Sequence, residues 1–252
     1  MKRHILIIAM VFVGFMLHSC VININSESVK GDGNVVAREY DIDQFDEIVC
    51  ALPATVNFSV GEEYSCTIRV DENLLEYIDI KAKGGELVLG QVKPKDGLYV
   101  GFSATEFVID ITAPDINEIT LAGSGDINIL SPLNVQDLEI TVAGSGDITF
   151  SEEVDINHLE LSVNGSGDIH VEKGTVHELE ADIAGSGDIV SHAEAQEAEV
   201  SVIGSGDITV NVTGTLDYRI VGSGDIYYYG DAKVTGKITG SGDITPVERP
   251  SR

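Results

Sequence analysis

Seven aspartates, Asp126, Asp147, Asp168, Asp188, Asp207, Asp225 and Asp243, recur at intervals of 21, 21, 20, 19, 18 and 18 residues. Carboxylates brought into line repel one another unless screened or bridged. Ca²⁺, which takes six to eight oxygens at about 2.3–2.6 Å, would bridge them, so the seven form a candidate calcium ladder. The alternative is structural, because Asp commonly accepts backbone N–H groups at turns. A second acidic series, Glu118, Glu139, Glu160, Glu180, Glu199 and Asp217, precedes the aspartates at the same period and reads as an outward-facing column. Seven serines share the aspartates' period; a catalytic serine needs one base and one orienting group, and seven equivalent copies speak for architecture. His158, His170, His177 and His192 fall at different points of the period and read as surface histidines. Tyr227 and Tyr229 alternate outward near the last copies, where exposed rings would stack on sugars or bury against a partner.

Each aspartate is the fourth residue of a Gly-Ser-Gly-Asp-Ile copy, and the copies begin at Gly123, Gly144, Gly165, Gly185, Gly204, Gly222 and Gly240. Two residues before each copy stand Leu121, Val142, Val163, Ile183, Val202, Ile220 and Ile238, and four before stand Ile119, Ile140, Leu161, Ala181, Val200, Tyr218 and Gly236. Apolar residues at period two mark a strand with one buried face. An unbroken isoleucine column from Ile127 to Ile244 follows the turn and marks a second strand. The remaining six to eight residues of each copy suit a third short strand. The fold class is therefore all-β, a single-stranded right-handed parallel β-helix with irregular N-terminal rungs or a cap. Seven copies stacked at ~4.8 Å give a rod of roughly 29 Å.

The chain opens Met-Lys-Arg, continues through an apolar run and reaches Leu17-His18-Ser19-Cys20, a secretory pattern resembling the bacterial lipoprotein lipobox. Cys20 would then carry the lipid, and a doubly or triply acylated cysteine anchors stably. The expected organisation is a signal peptide over 1–19, a tether over 20–34, an irregular β section or cap over 35–113, the regular coil over 114–245 and a tail over 246–252. Cys50 and Cys66 both lie in apolar alternation, and export permits either a disulfide or two buried thiols. The formal net charge of -27 argues against nucleic acid and anionic lipid surfaces as partners. From Pro114 to Thr245 there are 24 acidic residues against four basic ones, Lys173, Arg219, Lys233 and Lys237.

The Gly-Ser-Gly-Asp-Ile copies, the segments Phe45-Asp46-Glu47-Ile48 and Asp71-Glu72-Asn73-Leu74-Leu75 that precede them, and the lipoprotein start together resemble the family described as putative autotransporter adhesin, head GIN domain. The resemblance runs from about Val35 to Ile244. It implies a β-helix-like fold, an envelope location and no established activity.

These observations favour a non-enzymatic outer-membrane lipoprotein whose acidic rod displays an adhesive or binding surface. Expected partners are the membrane through its lipid, a cell-surface glycan or protein, and a second copy of the chain as a homo-oligomer. A polysaccharide lyase or hydrolase is the competing reading, since β-helices host such enzymes. They need loops that form a cleft and cationic groups for developing charge, whereas these copies shorten from 21 to 18 residues. A structural component of an envelope complex is the third.

Overall fold

The computed structural model describes residues 28–93 and 99–248; the signal-peptide range, Cys20 and the chain from 249 onward lie outside them. Of the described residues 69% are strand and 3% helix, and seventeen strands join one continuous sheet that winds into a β-solenoid of about six turns. Alternation builds it. On the first face, ahead of each glycine turn, Leu121, Val142, Val163, Ile183, Val202 and Ile220 point inward, and so do Ile119, Ile140, Leu161, Ala181 and Val200. On the second face Ile127, Ile148, Ile169, Ile189, Ile208 and Ile226 are all 0% exposed. Parallel pairing sets each isoleucine directly on the next. Each such side chain contributes about 1.5–3 kcal/mol by leaving water.

The glycine turn is the one sharp corner. Ile148–Val163, Ile169–Gly185 and Ile189–Gly204 run as unbroken strands around the other two bends. The third strand expected from the sequence is thus fused to its neighbours, because gentle bends keep the inter-rung ladder bonded. Register shifts occur between Phe150 and Glu153, Val171 and Thr175, Ser191 and Glu194, and Ala195 and Glu197. The shortening from 21 to 18 residues is therefore taken out where the chain enters the third face, with one residue put back within that face between Ala195 and Glu197, and the other two faces stay in strict register.

Before the first glycine turn the coil is already running. Phe45–Cys50 pairs in parallel with Glu118–Leu121, and Thr55–Val60 with Asp126–Ile129. Cys50 and Val56 are six residues apart, as are Val142 and Ile148, so Ala51-Leu52-Pro53-Ala54 replaces Ala143-Gly144-Ser145-Gly146 as the corner. Above this rung Gly85–Gln91 continues the first face and Phe107–Ala113 the second. Antiparallel strands then finish both: Ile78–Lys83 pairs with Gly85–Gln91, Ser65–Asp71 with Phe107–Ala113, and Val35–Tyr40 with Ser65–Asp71. The N-terminal section is therefore one irregular rung plus a cap.

Part of the expected tether belongs to that cap. Ser28–Lys30 pairs in parallel with Gly101–Ser103, and the Gly33 N–H donates to Asp71 Oδ1 at 2.7 Å. Asp71 is 0% exposed and also accepts the Thr105 N–H at 2.6 Å. Burial alone would raise its carboxyl, but the Thr105 and Gly33 donors more than offset that and hold it below the usual range. This buried carboxylate ties three separate segments together.

At the other end Lys233–Gly240 and Ile244–Pro246 each pair with the preceding rung only, among the described residues. Two lysines and a proline on these outer strands blunt an open edge. Gly236 stands where earlier rungs bury a side chain. A Cβ there would strike the Tyr218 ring, so the tyrosine one rung back fills the vacancy and covers the end of the core.

Candidate functional site

The seven aspartates do form a ladder, and backbone completes it. Asp126 Oδ1 accepts the Asp147 N–H at 3.3 Å, and the same bond repeats from Asp147 through Asp225 at 2.7 to 2.9 Å. Each carboxylate except that of Asp243 in the last rung thus holds the turn of the following rung rather than its own. The serines between the glycines are exposed, while their N–H groups donate to the glycine carbonyl one rung back. Two different constraints fix the glycines. The first, in the later rungs, has φ of 138° at Gly204, 139° at Gly222 and 142° at Gly240, a region that side chains avoid, and a Cβ on it would also strike the carbonyl oxygen of the equivalent glycine below. The second has ordinary φ, but a Cβ on Gly146, Gly167, Gly187, Gly206, Gly224 or Gly242 would come within 3.0 Å of the carbonyl oxygen of the equivalent glycine below.

On the outer side of the first face the glutamate column is longer than expected. Glu86, Glu47, Glu118, Glu139, Glu160, Glu180, Glu199 and Asp217 are in consecutive register. Glu47 and Glu86 escaped the repeat because no glycine turn follows them, yet Glu47-Ile48-Val49-Cys50 and Glu86-Leu87-Val88-Leu89 carry the pattern of Glu118-Ile119-Thr120-Leu121. Partial burial, then the neighbouring carboxylates, raise Glu47, Glu139 and Glu160, and push Glu118 up to about 6.

The consequence for stability has a definite sign. A carboxyl whose folded pKa lies above its ordinary 4.5 binds its proton more tightly in the folded state, so folding is penalised above about 6 and the penalty lifts as pH falls toward 4.5. Glu118→Gln should therefore stabilise the protein at pH 7 by about 1 kcal/mol, allowing for solvent screening of a half-buried group. Urea unfolding at pH 7 and pH 5 checks this: the gain should be present at pH 7 and shrink at pH 5, and a variant less stable at pH 7 contradicts it.

The third face carries a groove of about 680 Å³. Asn134, Asp155, Thr175 and Glu194 form one column of its lining, in register from rung to rung, and Gln136, Asn157, His177 and Gln196 run beside it. Asn134 Nδ2 donates to Asp155 Oδ2 at 3.3 Å, Thr175 Oγ1 to Asp155 Oδ1 at 3.1 Å, and His177 Nδ1 lies 2.8 Å from Gln196 Oε1. Amides, hydroxyls and carboxylates are thus presented at one-rung intervals. No sequence motif marks the groove, because its residues vary in type; the signal was that rung length changes only at the entry to this face and within it.

The remaining expected sites fall differently. Tyr227 stays partly exposed and its hydroxyl donates to Asp225 Oδ2 at 3.3 Å. Tyr229 does not face out: it is 4% exposed and its hydroxyl meets His192 Nδ1. Alternation fails there because the chain is turning a corner. Tyr229 is in register with Asn211, and Val210, Asn211 and Val212 are buried in succession. The pair therefore forms no common surface patch. Cys50 and Cys66 are buried free thiols. Cys50 sits opposite Leu89 and Leu121, whereas Cys66 sits opposite Tyr40 and Ile111, so each faces its own neighbours. Burial pushes their pKa to about 11 and about 12, which leaves both unreactive. His170 lies on the second face between Thr149 and Val190. His158 stands in register with Glu178, so one rung of spacing brings together residues that looked unrelated in sequence.

The family described as putative auto-transporter adhesin, head GIN domain, matches residues 44–232. Among solved structures, a putative lipid binding protein from Parabacteroides distasonis is 30% identical, covering 88% of this chain and 100% of its own, with a TM-score of 0.76. A putative adhesin from Bacteroides fragilis is 25% identical over 87% of this chain and 100% of its own, with a TM-score of 0.78. A putative adhesin from Parabacteroides merdae is 26% identical over 88% and 100%, with a TM-score of 0.73. No curated protein matches the chain.

Proposed function

This chain belongs to the family described as putative auto-transporter adhesin, head GIN domain, and we propose that it is a non-enzymatic binding scaffold of the bacterial envelope, with the third-face groove taking a surface glycan. The observation that carries the reading is the groove itself, about 680 Å³ lined at one-rung intervals by amide, hydroxyl and carboxylate groups. Rungs advance ~4.8 Å, close to the advance of one pyranose along an extended chain, so each successive sugar would meet a polar side chain of the next rung, differing in type from one rung to the next. A neutral or amino sugar polymer suits the lining better than an acidic one, given Asp155, Glu194 and a net charge of -27.

A lyase would need cationic groups to stabilise the negative charge that develops on proton abstraction, and the lining holds no lysine or arginine. The Parabacteroides distasonis protein is described as lipid binding; an acyl chain would call for an apolar cavity, whereas this groove is polar and the interior of the coil is filled by side chains. The Met-Lys-Arg start and Leu17-His18-Ser19-Cys20 support a lipid on Cys20 that holds the rod at the membrane.

A glycan array probed with the full chain tests the groove. The double variant Asn157→Arg, Gln196→Arg should lose glycan binding at least tenfold by filling the groove, while two exposed substitutions should move stability by no more than about 0.5 kcal/mol each. Undiminished binding by the folded variant, or cleavage of a bound polysaccharide by the wild type, would overturn the proposal.

A further inference from the structure

The first face carries a second group of side chains that the groove does not use. His158 is in register with Glu178, and its Nε2 lies 3.8 Å from Glu180 Oε1. One ligand atom from each of the three residues falls within 4.8 Å of the others. Beside them opens a hollow of about 150 Å³ bordered by Glu178, Glu180, Glu197, Glu199 and Asp217, with the Thr215 hydroxyl at its edge. We infer that His158, Glu178 and Glu180 form a binding site for a divalent transition-metal cation of the zinc class, with the hollow holding its remaining water ligands.

Three features argue for it. The first is the donor set. A column of carboxylates alone draws hydrated cations diffusely, whereas one imidazole nitrogen among carboxylate oxygens suits zinc and its neighbours and is foreign to calcium sites, which are built from oxygen. Among the described residues His158 is the one histidine of the outer first face, between Asp137 and Glu178 in register. The second is geometry. Ligands at about 2.0–2.2 Å on a tetrahedral ion stand roughly 3.4 Å apart, so the His158 to Glu180 separation needs only a small closure. Both side chains have room for that movement, with 30% and 39% of their surface exposed. The third is charge. The basic residues of this face stand at its two ends, Lys81 and Lys83 in the cap and Arg219, Lys233 and Lys237 in the last two rungs, leaving the glutamates of the middle rungs to share His158. A bound cation would offset that excess and join two adjacent rungs.

The test is zinc titration of the chelator-treated full chain, followed by calorimetry and by the thermal unfolding midpoint. The expected result is one saturable equivalent and a midpoint that climbs with zinc concentration, since a ligand of the folded state stabilises it. His158→Ala should weaken binding at least tenfold and remove the climb, with an unaltered metal-free circular dichroism spectrum; Glu178→Gln should weaken it as well. Cobalt offers a second readout, because d–d absorption of a nitrogen-ligated site should appear with the wild type and vanish with His158→Ala. The inference is overturned if the wild type takes up zinc without saturation, if His158→Ala binds it equally well, or if calcium gives the same saturable shift in both proteins.

Discussion

Gly206→Ala should destabilise the protein by on the order of 3 kcal/mol or more, which urea unfolding would read as a large drop in midpoint. The new Cβ would lie less than 3.0 Å from the Gly187 carbonyl oxygen and close to Ile183 Cγ2. Backbone cannot rotate away as a side chain can. Relief requires the two rungs to part, which strains the bond from the Ser205 N–H to the Gly185 carbonyl at 2.9 Å and that from the Asp207 N–H to Asp188 Oδ1 at 2.8 Å. Two comparisons isolate the cause. Ser205→Ala, at an exposed side chain one residue away, should change stability by less than about 0.5 kcal/mol. Gly242→Ala creates the same clash against Gly224, but in the last rung, which can lift from one neighbour without breaking the stack, so its cost should be smaller. Equal losses at Gly206 and Gly242, or a mild loss at Gly206, would contradict the close-approach account.

Asp188→Ala should cost about 2 kcal/mol, and Asp188→Asn much less. The alanine variant leaves the Asp207 N–H without the acceptor it has at 2.8 Å, and hydrogen bonds to charged groups contribute about 1.5–3 kcal/mol. Asparagine keeps an Oδ1 in the same place and gives up only the charge. Denaturation midpoints of the two variants, each with and without calcium, separate the readings of the aspartate column. A near-native asparagine variant identifies the acceptor as what matters. If asparagine falls as far as alanine, and only in the presence of calcium, the charge serves a bridging cation instead.

The regular coil was legible because it repeats: Ile148, Ile169 and Ile189 fill the same place by the same physics, so one column read correctly gives them all. The strands at Thr55–Val60 and Phe107–Ala113 were legible from alternation alone. Alternation did not say what they pair with, because Thr55–Val60 lies between Asp126–Ile129 and a strand some fifty residues downstream of it. The N-terminal corner at Ala51-Leu52-Pro53-Ala54 was hidden because it keeps the length of the glycine turn and none of its glycines. Nothing in Asp71-Glu72-Asn73-Leu74-Leu75 marks Asp71 as buried; its role follows from where Gly33 and Thr105 come to rest, which local pattern does not encode. Tyr229 was misplaced because period two holds only while a strand runs straight. The groove and the His158 group were illegible for a shared reason: both are assembled from different residue types one rung apart, and only the stacked register makes them neighbours.

The asymmetry between the two ends bears on how such a chain would mature. Val35–Tyr40 and Ile78–Lys83 close the amino-terminal end, while Lys233–Gly240 leaves its outer edge without a strand partner among the described residues. A chain that crosses a membrane amino end first would deliver the closing pieces before any glycine turn emerged. The rung at Phe45–Val60 would then act as a seed crystal, and each later turn would condense on a finished surface as it arrived. Order of synthesis and order of assembly would coincide, and unpaired edge would at no stage exceed a single turn.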